Sequence, residues 1–170
     1  MWKKIKLNFR CLYFFLTFNL LINSLLSEDI KDYKFNWYPS MQIKGNVINL
    51  PNAAKFESYK TSGVWEDNLG NYGIMNCLVS QFTDNESKIS LDGYCEAKDS
   101  VERQFWVYLN RKSFNLAGVG TAKYLFAEKK YNVLLDKTCP YAAQLIDGGG
   151  IFKLSCKLSD IDHKKLGTNK

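Results

Sequence analysis

Activation of a serine or cysteine nucleophile needs an imidazole within hydrogen-bond reach. This chain of 170 residues has one histidine, His163, in a polar stretch close to its C-terminal end. Ser-His-Asp and Cys-His chemistry is therefore not expected. Acid–base work by carboxylates is what the composition leaves open, with Asp67, Asp92, Glu96, Asp99, Glu102, Asp136 and Asp147 as the stock. Two of these held about 5–9 Å apart would suit glycoside-type chemistry, but carboxylates beside turns more often shape or solvate a loop. Asp67-Asn68-Leu69-Gly70-Asn71 has leucine where a calcium loop needs an oxygen ligand. Gly118-Val119-Gly120-Thr121-Ala122-Lys123 opens like a dinucleotide loop but lacks the third glycine and a following helix pattern. Neither a cofactor nor a metal is expected.

Cysteine is the other reactive type. Cys77, Cys95, Cys139 and Cys156 form no C-x-x-C pair and have no histidine beside them, so stapling is expected rather than metal or redox chemistry. Residues facing each other across a hairpin have numbers that sum to a constant. The midpoint of Cys77 and Cys95 is Glu86, in a turn signal at Asp84-Asn85-Glu86, and that of Cys139 and Cys156 falls between Asp147 and Gly148. Facing cysteines come within disulfide reach, which makes Cys77–Cys95 with Cys139–Cys156 the first choice. A closed barrel that brings non-sequential strands together leaves cross-pairing such as Cys95–Cys139 open.

Stapling implies an oxidising compartment, and the N-terminus supplies a route to one. Lys3, Lys4, Lys6 and Arg10 precede an almost continuously apolar run from Cys11 to Leu26, the pattern of a secretory signal. The run is short of the roughly 20 apolar residues of a membrane span. A signal peptide over 1–27 and a periplasmic or secreted product are expected, with membrane contact only through this segment if it stays uncleaved. The leader holds four of the 23 basic residues and none of the 17 acids, so its removal lowers the formal charge from +6 to +2. That balance gives no reason to expect a nucleic-acid partner.

The remaining chain suits one domain. Eight strand-like runs follow one another between turn signals: 56–65, 72–82, 88–96, 103–111, 118–127, 131–137, 140–146 and 151–158. Their short connections require antiparallel pairing. The predicted fold is all-β, an antiparallel up-and-down barrel over 56–158 of about eight strands, stapled by disulfides and preceded by a signal helix. Residues 28–55 read as an N-terminal extension packed on this barrel, with a strand over 41–50, and 159–170 as a polar tail.

Gly63-Val64-Trp65 resembles the G-x-W opening of lipocalin and avidin barrels, in the calycin group, where the tryptophan closes the barrel bottom. Ala117-Gly118-Val119-Gly120 through Tyr124, with Lys130-Tyr131, is similar to the glycine-and-aromatic rhythm of allene-oxide-cyclase-like and dirigent barrels. The resemblance implies a small exported calycin-like antiparallel barrel and names no ligand.

An eight-stranded barrel either fills with side chains or holds one small molecule. Trp65, Tyr72, Trp106, Tyr108, Tyr124 and Tyr141 are the candidates for lining such a cavity, with polar tips to orient a small, partly apolar ligand. Aromatic residues are also favoured in strands for packing alone. Three readings follow. A binding module requires a cavity of about 300 Å³ or more. An envelope structural or interaction protein requires a filled barrel with an exposed apolar patch. A cyclase- or isomerase-type enzyme requires two carboxylates, or a carboxylate and a tyrosine, converging inside a cavity.

Overall fold

In the computed structural model, which describes residues 29–114, 117–146 and 149–168, eight antiparallel strands close into a barrel in sequential order. The strands are β1 (Ile30–Asn49), β2 (Lys55–Asp67), β3 (Tyr72–Thr83), β4 (Ile89–Asp99), β5 (Gln104–Ser113), β6 (Ala117–Ala127), β7 (Thr138–Ile146) and β8 (Gly149–Ser159). The fold expected from alternation and turn spacing is thus the fold observed. The signal segment expected over 1–27 lies outside the described residues.

Two strand assignments change. Residues 30–49 are not an extension but the closing strand: β1 pairs with β8 over Ile30–Trp37 and with β2 over Phe35–Asn49. Register shifts at Pro39/Met41 and Lys44/Val47 bend it across both neighbours, and Pro39, lacking an N–H, sits at the first of them. Its alternation was legible in Tyr33, Phe35 and Trp37, all of which face the core. The run 131–137 is not a strand. Lys129–Leu134 is a 3₁₀ segment that turns Tyr131 and Leu134 into the lower end of the barrel, where both are fully buried. The tail also gains structure, as helix α1 (Asp160–Gly167). Ser159 caps it by accepting from the Asp162 N–H at 3.1 Å, acids occupy its first turn and lysines its last, and Leu166 is buried beneath it.

Three hairpin loops share one device. Asp67, Asp84 and Asp99 each accept through Oδ1 from the N–H groups two and four residues ahead, at 2.8–3.0 Å. The residue three ahead adopts positive φ: Gly70 at 82°, Ser87 at 65° and Glu102 at 69°. These are Asx turns, which accounts for the aspartates without a metal.

Both disulfides follow the hairpin arithmetic. Cys77–Cys95 and Cys139–Cys156 join neighbouring strands with Cα–Cα distances of 4.0 and 5.0 Å, and all four cysteines face the interior. The turn at Asp147-Gly148 lies outside the described residues. Below the midline the interior is a solid aromatic cluster. Phe105 meets Phe35, Trp65, Tyr124 and Tyr131 at ring-centroid distances of 6.0, 5.5, 5.7 and 4.9 Å, and Phe35 stacks on Trp65 at 5.2 Å.

Candidate functional site at the barrel mouth

The strands deliver different chemistry to the two ends of the barrel. At the lower end, closed by the 3₁₀ segment and α1, Asp99 is buried and accepts four hydrogen bonds. The donors are the N–H groups of Val101 (3.0 Å) and Arg103 (2.9 Å), the Arg103 Nε (2.7 Å) and the Tyr131 hydroxyl (3.1 Å). Burial is the largest influence on its carboxyl and raises the pKa, but these donors outweigh it and leave the pKa below the ordinary carboxylate range. Asp67 is spent in the same way on Leu69 and Asn71, and Lys130 donates to Asn71 Oδ1. A carboxylate and a tyrosine do converge here, as an isomerase would require. They converge in packed protein, and the mouth cavity described next is not lined by either aspartate or by Tyr131.

The upper end carries the Pro51–Ala53 turn and the Asp84–Lys88 loop. A cavity of about 50 Å³ opens there, lined from β1, β2, β3, β4, β5, β7 and β8. Its walls are largely apolar, and Trp37, Gln42, Tyr59, Thr61, Arg111 and Tyr141 are its polar side chains. Tyr59 Oη and Trp37 Nε1 are buried with no hydrogen-bond partner. The Arg111 side chain is 2 % exposed, an unusual depth for a guanidinium. Burial pushes the Tyr59 and Tyr141 phenols up to about 12, with the nearby Arg111 charge acting against the rise. Both hydroxyls therefore stay protonated at neutral pH. Opposite Tyr141, a Cβ on Gly120 would lie 2.3 Å from the Asn110 carbonyl oxygen and 2.6 Å from the Tyr141 ring. A Cβ on Gly118 would come within 3.3 Å of the Arg111 side chain. The Gly-x-Gly of β6 is thus explained by the close approach of β5 and of the Tyr141 and Arg111 side chains, not by a phosphate.

The six aromatic candidates do not share one cavity. Trp65 and Tyr124 are buried in the lower cluster, and Tyr141 lines the mouth, stacked on Phe152 at 4.4 Å. Tyr72, Trp106 and Tyr108 point outward, because side chains of a strand alternate between faces. Tyr108 packs its ring 5.1 Å from that of Tyr94 and donates to Asp92. Trp106 lines an open groove of about 850 Å³ on the outer wall with Leu78, Tyr94 and Phe126, each of the latter three at least 60 % exposed. Trp37, Tyr59 and Arg111 were not singled out from the sequence. Arg111 had a signal: it continues the inward parity of Phe105, Val107 and Leu109. It is also one of only three arginines in a chain with 23 basic residues.

No family model and no curated protein matches the chain. Among solved structures it is similar to a protein of unknown function from Clostridium acetobutylicum ATCC 824. That likeness has 11% identity and a TM-score of 0.59, and covers 77% of this chain and 99% of that one. It is also similar to an enzyme from Penicillium herquei, with 11% identity, a TM-score of 0.53, and coverage of 74% of this chain and 93% of that one. At these identities the likeness is one of fold.

Proposed function

We propose that this chain is an exported, disulfide-stapled barrel that holds the polar head of a small, partly apolar ligand at its upper mouth. The observation that carries the reading is the pair of orphaned polar atoms, Trp37 Nε1 and Tyr59 Oη, beside a cavity in an otherwise packed barrel. A buried polar atom without a partner costs about 1–3 kcal/mol, a cost that a ligand atom or water in the cavity removes. Trp65 Nε1 is also without a partner, but Trp65 does not line the mouth cavity. At about 50 Å³ the space is far below the roughly 300 Å³ of a site that encloses a whole drug-sized ligand. It suits a head group whose apolar remainder leaves through the mouth, past Val79, Leu91 and Leu145. Export is supported by the basic-then-apolar leader and by two disulfides, which persist outside reducing compartments.

The outer groove favours a second reading, an interaction protein that needs no ligand cavity, because an apolar groove on a sheet wall is a binding surface for another chain. Three tryptophans separate the readings: Trp37 at the mouth, Trp65 in the lower core and Trp106 in the groove. Their indole N–H resonances are followed during titration with octanoate, 1-octanol and octylamine. The mouth reading expects the Trp37 signal to move with at least one probe while Trp65 and Trp106 stay put. Movement of Trp106 alone favours the groove, and a still Trp37 with all three probes refutes ligand capture at the mouth.

A further inference from the structure

The outer wall presents a surface that the mouth does not account for. Strand alternation sends Ile43, Val64, Ile74, Leu78, Tyr94 and Phe126 outward, and each is more than half exposed. Ile43, Leu78, Tyr94 and Phe126 line the outer groove, while Val64 and Ile74 face each other in the next outward row of β2 and β3. At roughly 100 Å² apiece these six side chains present about 600 Å² of apolar surface, the upper end of the largest patch on a typical monomer. It is also most of the roughly 800 Å² that each partner gives to a standard protein interface.

Among the described residues lining the groove, the charged ones are Lys60 on β2 and Glu96 on β4, which stand diagonally on either side of β3. Lys60 belongs to the row Lys60–Leu78–Tyr94 and Glu96 to the next, Ser62–Asn76–Glu96. Both are exposed, and neither enters an ion pair among the described residues. Glu96 accepts only from the Gln104 side-chain amide, at 3.1 Å. A foreign chain would have to bring both opposite charges at the matching spacing, and an anionic lipid surface would repel Glu96. A second copy brings them by symmetry. We infer that this wall is the interface of a two-fold dimer of the chain, with Lys60 of each copy paired to Glu96 of the other. The axis lies in the plane of contact, crosses β3 beside Leu78 and runs perpendicular to the Lys60–Glu96 diagonal, so that Leu78 and Tyr94 meet their own counterparts. Such a surface is self-complementary in charge as well as in apolar area. The dimer goes beyond capture at the mouth and does not depend on it.

The test is sedimentation equilibrium of the protein, expressed from the full chain with both disulfides formed, over about 1–100 µM, where an interface of this size should give a reversible dimer. Lys60→Glu and Glu96→Lys each set like charges against each other at two symmetric contacts, and each is expected to weaken the dimer about tenfold or more. Combining the two swaps the signs, and the double variant is expected to return to within about threefold of the original affinity. Leu78→Asp, beside the axis, is expected to leave only monomer over the same range. These positions are exposed, and far-ultraviolet circular dichroism checks that each variant folds. A monomer throughout the range overturns the dimer and leaves the groove to a foreign chain. A dimer that Leu78→Asp leaves intact, that the single reversals do not weaken, or that the double variant fails to recover overturns this interface.

Discussion

Replacing Arg103 with methionine tests the account of the lower end. In the folded protein the Asp99 carboxylate is buried and takes four hydrogen bonds, one from the Arg103 Nε at 2.7 Å. Removing one partner of a buried ion pair costs about 3–5 kcal/mol, because the other charge stays buried without it. Here Val101 N–H, Arg103 N–H and the Tyr131 hydroxyl still donate, since two of the three are backbone, so the loss should be about 2–4 kcal/mol. The penalty has a required pH dependence. Because the Asp99 carboxyl titrates below its ordinary value, its contribution is fully present above about pH 4 and disappears as pH falls through the folded pKa. The Arg103→Met penalty should therefore shrink between pH 7 and pH 3. Urea unfolding followed by tryptophan fluorescence at both pH values measures it. A loss below about 1 kcal/mol at pH 7, or a loss equal at the two pH values, would refute the argument that Asp99 is held as a charge by these donors. Lys98→Met, which removes an exposed ion pair to Glu102 in the same loop, is the control and should change stability little.

Further expectations concern packing and the staples. Phe105→Ala, at the centre of the lower aromatic cluster, should cost about 3–5 kcal/mol by denaturant unfolding. Replacing either cystine with an alanine pair should lower stability by about 3 kcal/mol, and by nearly the same amount for each, since the sequence separations are 18 and 17. Unequal losses would show that strain or packing, not chain entropy, sets the value of the staples. Gly120→Ala should destabilise by about 1–3 kcal/mol or more, because the added carbon meets the Asn110 carbonyl oxygen, which β5 holds in place, as well as the Tyr141 ring. A neutral result would remove the packing explanation for that glycine.

Much of the architecture was legible in particular residues. Strict alternation in Phe105, Val107, Leu109 and in Cys77, Val79 marks the inward face of strands, and the two cysteine midpoints select the disulfides that form. These are local facts: period-two geometry and hairpin register depend on neighbours close in sequence. The segment 131–137 misleads because tyrosine, valine and leucine suit a strand and a buried cap equally well. Only the open lower end of the barrel decides that Tyr131 and Leu134 plug it. Residues 30–49 were read as an extension for a related reason, since nothing local says that β1 will find β8, whose paired residues lie 115 to 129 positions away.

The same division holds for function. The sequence by itself determined the strand-built class and the hairpin staples, because each follows from alternation or from spacing within one hairpin. Barrel closure alone decided which aromatics meet. It divides the six candidates between core, mouth and outer wall, and brings Trp37, Tyr59, Arg111 and Tyr141 from four separate strands to one small cavity. Parity along a strand tells which face a side chain takes. Which other side chains share that face depends on strands far apart in the chain, and that is settled by closure.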